Sequence, residues 1–227
     1  MLYLRSLVAV GLAFAATPLV AVENIESVLG RMDQSAKSFR SLSADLKRIS
    51  HTAVLNESTT ETGTILMSRP KPKDMRMRVE IEQPDKRSVS YASRTMQVFY
   101  PKINTVQEYD LGRQGGLVDQ ALLLGFGTNS GDLLGAYGIK VLGEEALGGQ
   151  TTTRVELTPK AKEAKEHITK VELWVGEAGH PLQQKIWLPS RDYYLVTYTG
   201  IKVNPPISEE DLKLRLPKGV KKEYPQR

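Results

Sequence analysis

Between residues 75 and 82, hydrophobic and charged side chains alternate without interruption. In an extended chain, Met75, Met77, Val79 and Ile81 would point to one side, and the arginine and glutamate residues between them to the other. A strand with one apolar and one charged face is typical of an antiparallel sheet that is packed on one side and solvated on the other. We therefore predict such a strand here.

Similar period-two stretches recur at short intervals along the rest of the chain. They fall at 42–51, 61–68, 88–92, 95–100, 104–111, 139–143, 151–158, 168–175, 182–188, 192–201 and 211–216. Pairs such as Pro84-Asp85 and Gly148-Gly149 between them are typical of hairpin turns. About a dozen short strands predict a mainly β, α+β fold built on one large antiparallel sheet or barrel.

Two stretches have helical spacing instead. The first can be capped by Asn24 or Glu23 and runs to about Ser38, with its apolar stripe formed by Ile25, Val28, Leu29, Met32, Ala36 and Phe39. The second, 115–137, is predicted to form two short helices, and its apolar side chains include Leu117, Val118, Ala121, Leu122, Leu124, Phe126, Leu133 and Leu134. A segment this hydrophobic must be buried on most sides or line an apolar cavity.

The first residues follow the order of a secretory signal peptide: a positive charge at Arg5, an apolar run and then small residues. Cleavage after Ala21 or after Ala16 fits this pattern. An uncleaved membrane anchor is the other alternative, although the apolar run is shorter than the ~20 residues that a span requires. We expect a signal peptide at 1–21 and one exported, soluble domain at 22–227.

The sequence offers little for catalysis or metal binding. It contains no cysteine, and His51, His167 and His180 lie far apart, with only Glu163 and His167 at helical spacing. Nucleophile-elbow, phosphate-loop and dinucleotide-binding motifs are missing. We predict that the protein is not an enzyme and uses no metal or cofactor, with a carboxylate dyad assembled by the fold as the open alternative.

The formal net charge of +5 is spread among interleaved acidic and basic residues. This mixture argues against nucleic acid as a partner and is compatible with an anionic membrane surface or an acidic protein.

The apolar side of the predicted sheet is the candidate binding site. It would carry Met75, Met77, Val79, Ile81, Val89, Tyr91, Met96 and Val98. Methionine is a flexible residue that suits adaptable pockets. The pattern fits an ordinary packed core as well as a ligand cavity, and both interpretations stay open.

Several short motifs follow one another in a characteristic order. They are FRSLSADL at 39–46, GTILMSRP at 63–70, EQPD at 82–85, MQVFYP at 96–101, ELTPK at 156–160 and LRLPKGV at 214–220. Together they resemble the LolA family of periplasmic outer-membrane lipoprotein carriers over essentially the whole of 22–227.

The resemblance implies an antiparallel sheet curled into an incomplete, half-open β-barrel, with the N-terminal helix and the 115–137 helices closing its mouth as a lid. In that family, the space between sheet and lid receives the acyl chains of lipoproteins released by an inner-membrane ABC-type complex. The carrier, a periplasmic monomer, then passes them to an outer-membrane receptor.

The resemblance also gives a role to Arg69. In the family, an arginine before a proline at the end of the second strand bonds to the lid backbone and holds the empty carrier closed. Arginine suits this role because its five donors stay charged and can bridge several carbonyl groups. The alternative is a surface arginine at a strand end.

The chain departs from the family pattern after Arg69, where it is a few residues longer, and Met75 and Met77 replace expected aromatic residues. The cargo preference is therefore open. A related lipid or glycolipid carrier, or an envelope-stress sensor of the same fold, are the alternative functions.

Overall fold

The computed structural model describes residues 24–71, 74–111 and 124–225. The bounds of the strands are β1 Ser41–Thr52, β2 Glu57–Lys71, β3 Asp74–Gln83, β4 Arg87–Ala92, β5 Thr95–Tyr100, β6 Thr105–Asp110, β7 Tyr137–Leu147, β8 Gln150–Pro159, β9 Lys170–Gly176, β10 Pro181–Trp187, β11 Tyr193–Val203 and β12 Lys221–Glu223. Helices are α1 Ile25–Ser38, α2 Ser130–Ala136 and α3 Lys162–Lys165, with 3₁₀ turns at Pro101–Ile103 and Glu210–Leu212.

The strands form one sheet in the order β12-β6-β5-β4-β3-β2-β1-β11-β10-β9-β8-β7. Neighbouring strands are antiparallel, except that β12 runs parallel to β6. In the described part of the chain, β12 and β7 lie at the two edges and do not pair with each other. The sheet is therefore not closed, and the predicted mainly β fold with an incomplete barrel and short helices is confirmed.

Helix α1 begins where the sequence predicts, because the side chain of Asn24 accepts a hydrogen bond from the backbone N–H of Ser27 at 2.8 Å. Its apolar stripe packs against β8 and β9, where Val28, Leu29 and Met32 contact a cluster that includes Leu157 and Leu173. We call the sheet face that α1 covers the inner face and the opposite one the outer face.

The inner face carries two apolar clusters. One lies on β1–β4 and includes Phe39, Leu42, Met67, Met77 and Tyr91. The other lies between α1, α2 and strands β8 and β9. The helices thus cover mainly one half of the sheet, while the other half presents its apolar side chains toward the lid segment around residue 126.

The prediction of a strand at 211–216 was wrong. Leu212 is buried, but it lies in a 3₁₀ turn that packs on β2 and β3 rather than in a strand. Arg76 on the outer side of β3 pairs with Glu209 at 2.5 Å, and Arg78 donates to the carbonyl of Lys213 at 3.4 Å. Because β2 and β3 are already paired on both sides, this segment has no free strand edge to bond.

The C-terminal segment, residues 204–223, crosses the outer face from β1 to β6. The Asn204 side chain accepts hydrogen bonds from Arg40 and Ser41 at the start of this path. At the other end, the backbone N–H of Lys221 donates to the carbonyl of Asn104 at 2.9 Å.

In the described ranges, no helix is both long enough and apolar enough to cross a membrane.

Candidate functional site

Strand register places the eight predicted site residues on the inner face. Met77, Tyr91 and Met96 lie opposite one another on β3, β4 and β5. The same face continues with Met75, Val79, Ile81, Val89 and Val98. Most of these side chains are buried, but Val79, Val89 and Met96 are only half-buried. The result is a continuous apolar surface that its neighbours cover incompletely.

Strands β1, β2 and β11 widen this surface with residues that the sequence prediction left out. They are Leu42, Ala44, Leu46, Ile65, Met67 and Tyr198. Leu42, Ala44 and Leu46 alternate with polar residues, so the same period-two signal could have identified them, whereas Ile65 and Met67 flank the apolar Leu66 and the signal is weaker there. Tyr198 belongs to this surface because β11 pairs with β1 and places Tyr198 opposite Leu46. No local pattern in the sequence predicts that contact. We call the two sets together the apolar surface.

The described part of the lid consists of α1, residues 124–129 and α2. Leu124, Phe126 and Leu133 are buried, as expected of residues that face the sheet. The Phe126 ring meets Tyr198 edge-on at 5.2 Å and stacks on His180 at 6.3 Å. Phe126 is therefore a lid side chain that contacts the apolar surface directly.

Five predicted lid positions either differ from this pattern or lie outside the described residues. Leu134 is 45% exposed and points to solvent instead of the sheet, because α2 turns only one face inward. Leu117, Val118, Ala121 and Leu122 lie outside the described residues.

Two hydrogen bonds in series connect the lid with the inner face of the sheet. Gln184 on β10 is buried, and its amide donates to the carbonyl of Leu124 at 2.5 Å. The hydroxyl of Tyr198 in turn donates to the Gln184 side-chain oxygen at 3.4 Å. Burial raises the pKa of Tyr198, so this hydroxyl remains neutral and serves as a donor.

The two lid helices are joined through Asp33 of α1. Its carboxylate accepts from the backbone N–H of Ser130 at 2.6 Å and from the Ser130 hydroxyl at 2.7 Å. Asn129 caps α2 by accepting from the N–H of Asp132 at 2.8 Å. These bonds join the two helices to each other, and separate contacts hold them to the sheet.

Arg69 makes those contacts from the end of β2. Its guanidinium donates to the carbonyl of Gly127 at 2.5 Å, to that of Ala36 at 2.9 Å and to that of Phe39 at 3.0 Å. The side chain thus bonds both α1 and the 124–129 segment. Burial lowers the pKa of Arg69, and the nearby charge of Arg40 lowers it further. Arginine remains charged at neutral pH even so.

Gly127 allows this close approach. Its backbone has a φ of +69°, and a Cβ there would lie 2.8 Å from both Arg69 Nη1 and Phe39 Cδ1. A larger residue would be strained by its backbone and would push the guanidinium away.

The histidines are dispersed as the sequence predicts. His51 contacts the Ser58 hydroxyl at 3.0 Å, His167 is exposed, and His180 is half-buried beside Phe126, where burial lowers its pKa. Within 24–71, 74–111 and 124–225, no three acidic or histidine residues are grouped so as to hold a metal ion.

One buried carboxylate lies on the outer face, away from the lid. Glu172 on β9 is 1% exposed and pairs with Arg154 at 2.6 Å and Lys170 at 2.9 Å, while Trp187 donates to it at 3.1 Å. Burial opposes its ionisation, but the hydrogen bonds from Lys170 and Arg154 outweigh that effect and lower the pKa of Glu172. Both carboxylate oxygens of Glu172 have partners, so Glu172, Arg154 and Lys170 form a structural ion cluster.

No family model matches the chain, and no curated protein is significantly similar to it. Solved structures do match. MucB is 16% identical with a TM-score of 0.51, over 83% of this chain and 62% of the MucB chain. An uncharacterized conserved protein from Thermus thermophilus is 12% identical with a TM-score of 0.53, over 88% of this chain and 98% of its own.

LolA superfamily protein NE2245 from Nitrosomonas europaea is matched more loosely, with 15% identity and a TM-score of 0.41 over 83% of this chain and 97% of that one. At such identities, a likeness shows the fold alone, and the chain spans less than two thirds of MucB. The protein shares the fold of MucB and of the T. thermophilus protein. An open antiparallel sheet with helices on its inner face agrees with the incomplete barrel that the sequence resemblance implies.

Proposed function

We propose that the protein is a carrier that shelters the acyl chains of lipoproteins released from the inner membrane and delivers them to the outer membrane. The observation that carries the proposal is the position of Arg69, which fastens a helical lid over an apolar surface of the sheet. The protein acts by binding and release, with no chemical step.

The apolar surface suits an acyl chain because it is extended and incompletely covered. Val79, Val89 and Met96 are half-buried although they belong to the inner face. Met67, Met75 and Met77 lie beside them, and methionine adapts its shape to different chains. A tightly packed core would bury all of these side chains.

The lid contacts are weak enough to be broken by cargo. Hydrogen bonds to a charged group contribute about 1.5–3 kcal/mol each, and Arg69 makes three to backbone carbonyls. Removing a sixteen-carbon chain from water is worth about 12 kcal/mol, at roughly 0.8 kcal/mol per CH₂. The free energy of sheltering one chain therefore exceeds the contribution of the three Arg69 hydrogen bonds.

The same magnitude explains why a carrier is needed. An acyl chain with a transfer cost of about 12 kcal/mol would almost never leave a membrane for water unaided. We propose that loading occurs from an inner-membrane ABC-type lipoprotein-releasing complex and unloading at an outer-membrane receptor. With the signal peptide at 1–21, the place of action would be the periplasm, and a monomer suffices.

The proposal is tested by purifying the chain from the periplasm of a Gram-negative host without detergent and recording its native mass spectrum. We expect co-purified triacylated lipoprotein. A Val89→Glu variant would place a negative charge on the apolar surface, and we expect it to lose the cargo. A Thr60→Glu variant, on the outer side of β2, adds the same charge elsewhere and should keep it. A protein that is always empty would refute the carrier function.

A second candidate is a sensor module of the same fold. Its support is the likeness to MucB over 83% of this chain, and MucB has also been solved in complex with MucA(peri). A sensor would form a stable complex with the periplasmic part of a membrane regulator and would not deliver lipoprotein to acceptor membranes. Co-purification followed by a delivery assay distinguishes the two functions.

A further inference from the structure

A row of three charged residues lies on the inner face beside the apolar surface. Arg48 on β1 pairs with Glu61 on β2 at 2.5 Å, and Arg87 on β4 pairs with the other oxygen of the same carboxylate at 2.6 Å. We call these residues the Arg48–Glu61–Arg87 triad. Burial penalises charged side chains, and here the two arginines and the glutamate offset part of that penalty by pairing with one another.

Strand register fixes where the triad lies. Leu46, Gly63 and Ile81 form one row across β1, β2 and β3 in the apolar surface. Arg48 and Glu61 are two residues further along β1 and β2, about 7 Å away on the same face. Arg87 lies directly opposite Ile81. The triad therefore borders the apolar surface at the end away from Arg69 and the lid.

The triad has one positive charge in excess. Glu61 is 12% exposed, and its negative charge is largely neutralised by the two arginines. The Arg48 side chain is 38% exposed and is therefore accessible from solvent. Each arginine has five N–H donors. The Nε of Arg48 is buried and has no hydrogen-bond partner among the described residues. The neighbouring Glu61 Oε2 is likewise buried and without a hydrogen-bond partner among these residues, so a ligand would reach the triad through the exposed part of the Arg48 side chain.

Tyr194 completes the surroundings. Its ring lies 5.8 Å from the guanidinium carbon of Arg48, and Tyr194 itself is 38% exposed. Tyrosine combines an apolar ring with a polar tip, as expected where an acyl chain meets its head group.

We propose that the Arg48–Glu61–Arg87 triad binds the anionic head group of a lipid whose acyl chain lies on the apolar surface. This inference rests on the apolar surface proposed above to hold acyl chains, and it adds a second class of cargo: amphiphiles with a carboxylate or phosphate close to the chain, which a triacylated lipoprotein does not have. Arginine donors match both groups in geometry. The single excess charge favours a monoanion over a dianion.

The test compares two probes with the same chain: palmitoyl-lysophosphatidylglycerol, which is anionic, and monopalmitoylglycerol, which is neutral. Both are titrated into the wild-type chain by calorimetry below their critical micelle concentrations. We expect the anionic probe to bind at least about tenfold more tightly, the effect of one charged hydrogen bond. Inorganic phosphate alone should bind far more weakly, because it lacks the chain.

Variants locate the effect. Arg87→Gln and Arg48→Gln should each reduce affinity for the anionic probe by about tenfold and leave that for the neutral probe unchanged. Arg78→Gln is the matched control. It removes the same charge, but Arg78 lies on the outer side of β3, where it forms an ion pair with Glu80. It should change neither affinity.

The possible results separate the two proposals. Equal affinity for both probes in the wild type would overturn the head-group site while leaving the carrier function standing. Failure of both probes to bind would overturn the carrier function and the site with it. Phosphate binding as tight as that of the anionic lipid would assign the triad to free anions and reject a lipid head group.

Discussion

The carboxylate of Asp33 on α1 accepts two hydrogen bonds from Ser130, one from its backbone N–H and one from its hydroxyl, at 2.6 and 2.7 Å. Residues separated by almost a hundred positions thus join the two described helices of the lid. Asp33 also places a negative charge at the first residue of α2, where free N–H groups favour anions.

This pair should stabilise the fold measurably. Asp33→Ala and Ser130→Ala should each lower the free energy of unfolding, and a double-mutant cycle should give a coupling of about 1–2 kcal/mol. Urea denaturation of the wild type, both single variants and the double variant measures it. Strictly additive effects would show that the two residues do not act together.

Arg69→Leu should leave the fold intact and impair cargo hand-off. The three hydrogen bonds of Arg69 to lid carbonyls favour the closed, empty state, so their loss removes part of the free energy that drives release. The measurement is transfer of a bound lipoprotein to acceptor liposomes, with circular dichroism to verify the fold.

Arg78→Leu serves as the control for that experiment, because Arg78 contacts Glu80 and the C-terminal segment and not the lid. Delivery by Arg69→Leu at the wild-type rate would dismiss the latch role.

Gly127→Ala should destabilise the protein by about 1–2 kcal/mol, because an L-residue is strained at a φ of +69°. The added methyl group would also meet Arg69 and Phe39. Gly135→Ala, in α2 with nothing within 4 Å of the new Cβ, should instead be neutral or stabilising by up to about 1 kcal/mol. Thermal unfolding of both variants checks the contrast, and equal effects would contradict the assigned backbone constraint.

Glu172 should make stability depend on acidity. Its pKa is lowered in the folded protein, so its contribution is present above the ordinary glutamate value of 4.5 and is lost as the pH falls through the lowered folded value. Glu172→Gln should therefore be less stable than wild type at pH 7, and the difference should shrink below pH 4.5. Urea denaturation at a series of pH values follows it; a difference that stays constant with pH would exclude an ionised role for Glu172.

The sequence predicts most of the strands because each has an apolar side, and period-two alternation reports that directly. The same signal misleads at 211–216, where Leu212, Leu214 and Leu216 alternate with charged residues. Alternation shows that one side of a segment is buried and does not show that its backbone has a partner strand. Here the segment packs on a sheet face whose strands already have their partners.

The candidate site is only partly accessible to sequence reasoning. The alternation in β3–β5 identifies its apolar residues, and a short motif points to Arg69. The Arg48–Glu61–Arg87 triad comes from three strands, and only the register of β1 with β2, of β2 with β3 and of β3 with β4 brings its members together. Register is a property of the folded sheet and is not visible in any one strand.

The path of residues 204–223 has a mechanical consequence. This segment is anchored near β1 through Asn204 and at β6 through β12, so it spans the back of the half of the sheet that carries Arg69 and the methionines. A segment attached at both ends in this way resists flattening of the strands that it crosses. Strands β7–β11 lie beyond its span, and β7 ends the sheet as an unpaired edge in the described chain. If an acyl chain binds as proposed, the sheet should widen in strands β7–β11, which this segment does not cross, while strands β1–β6 keep their shape.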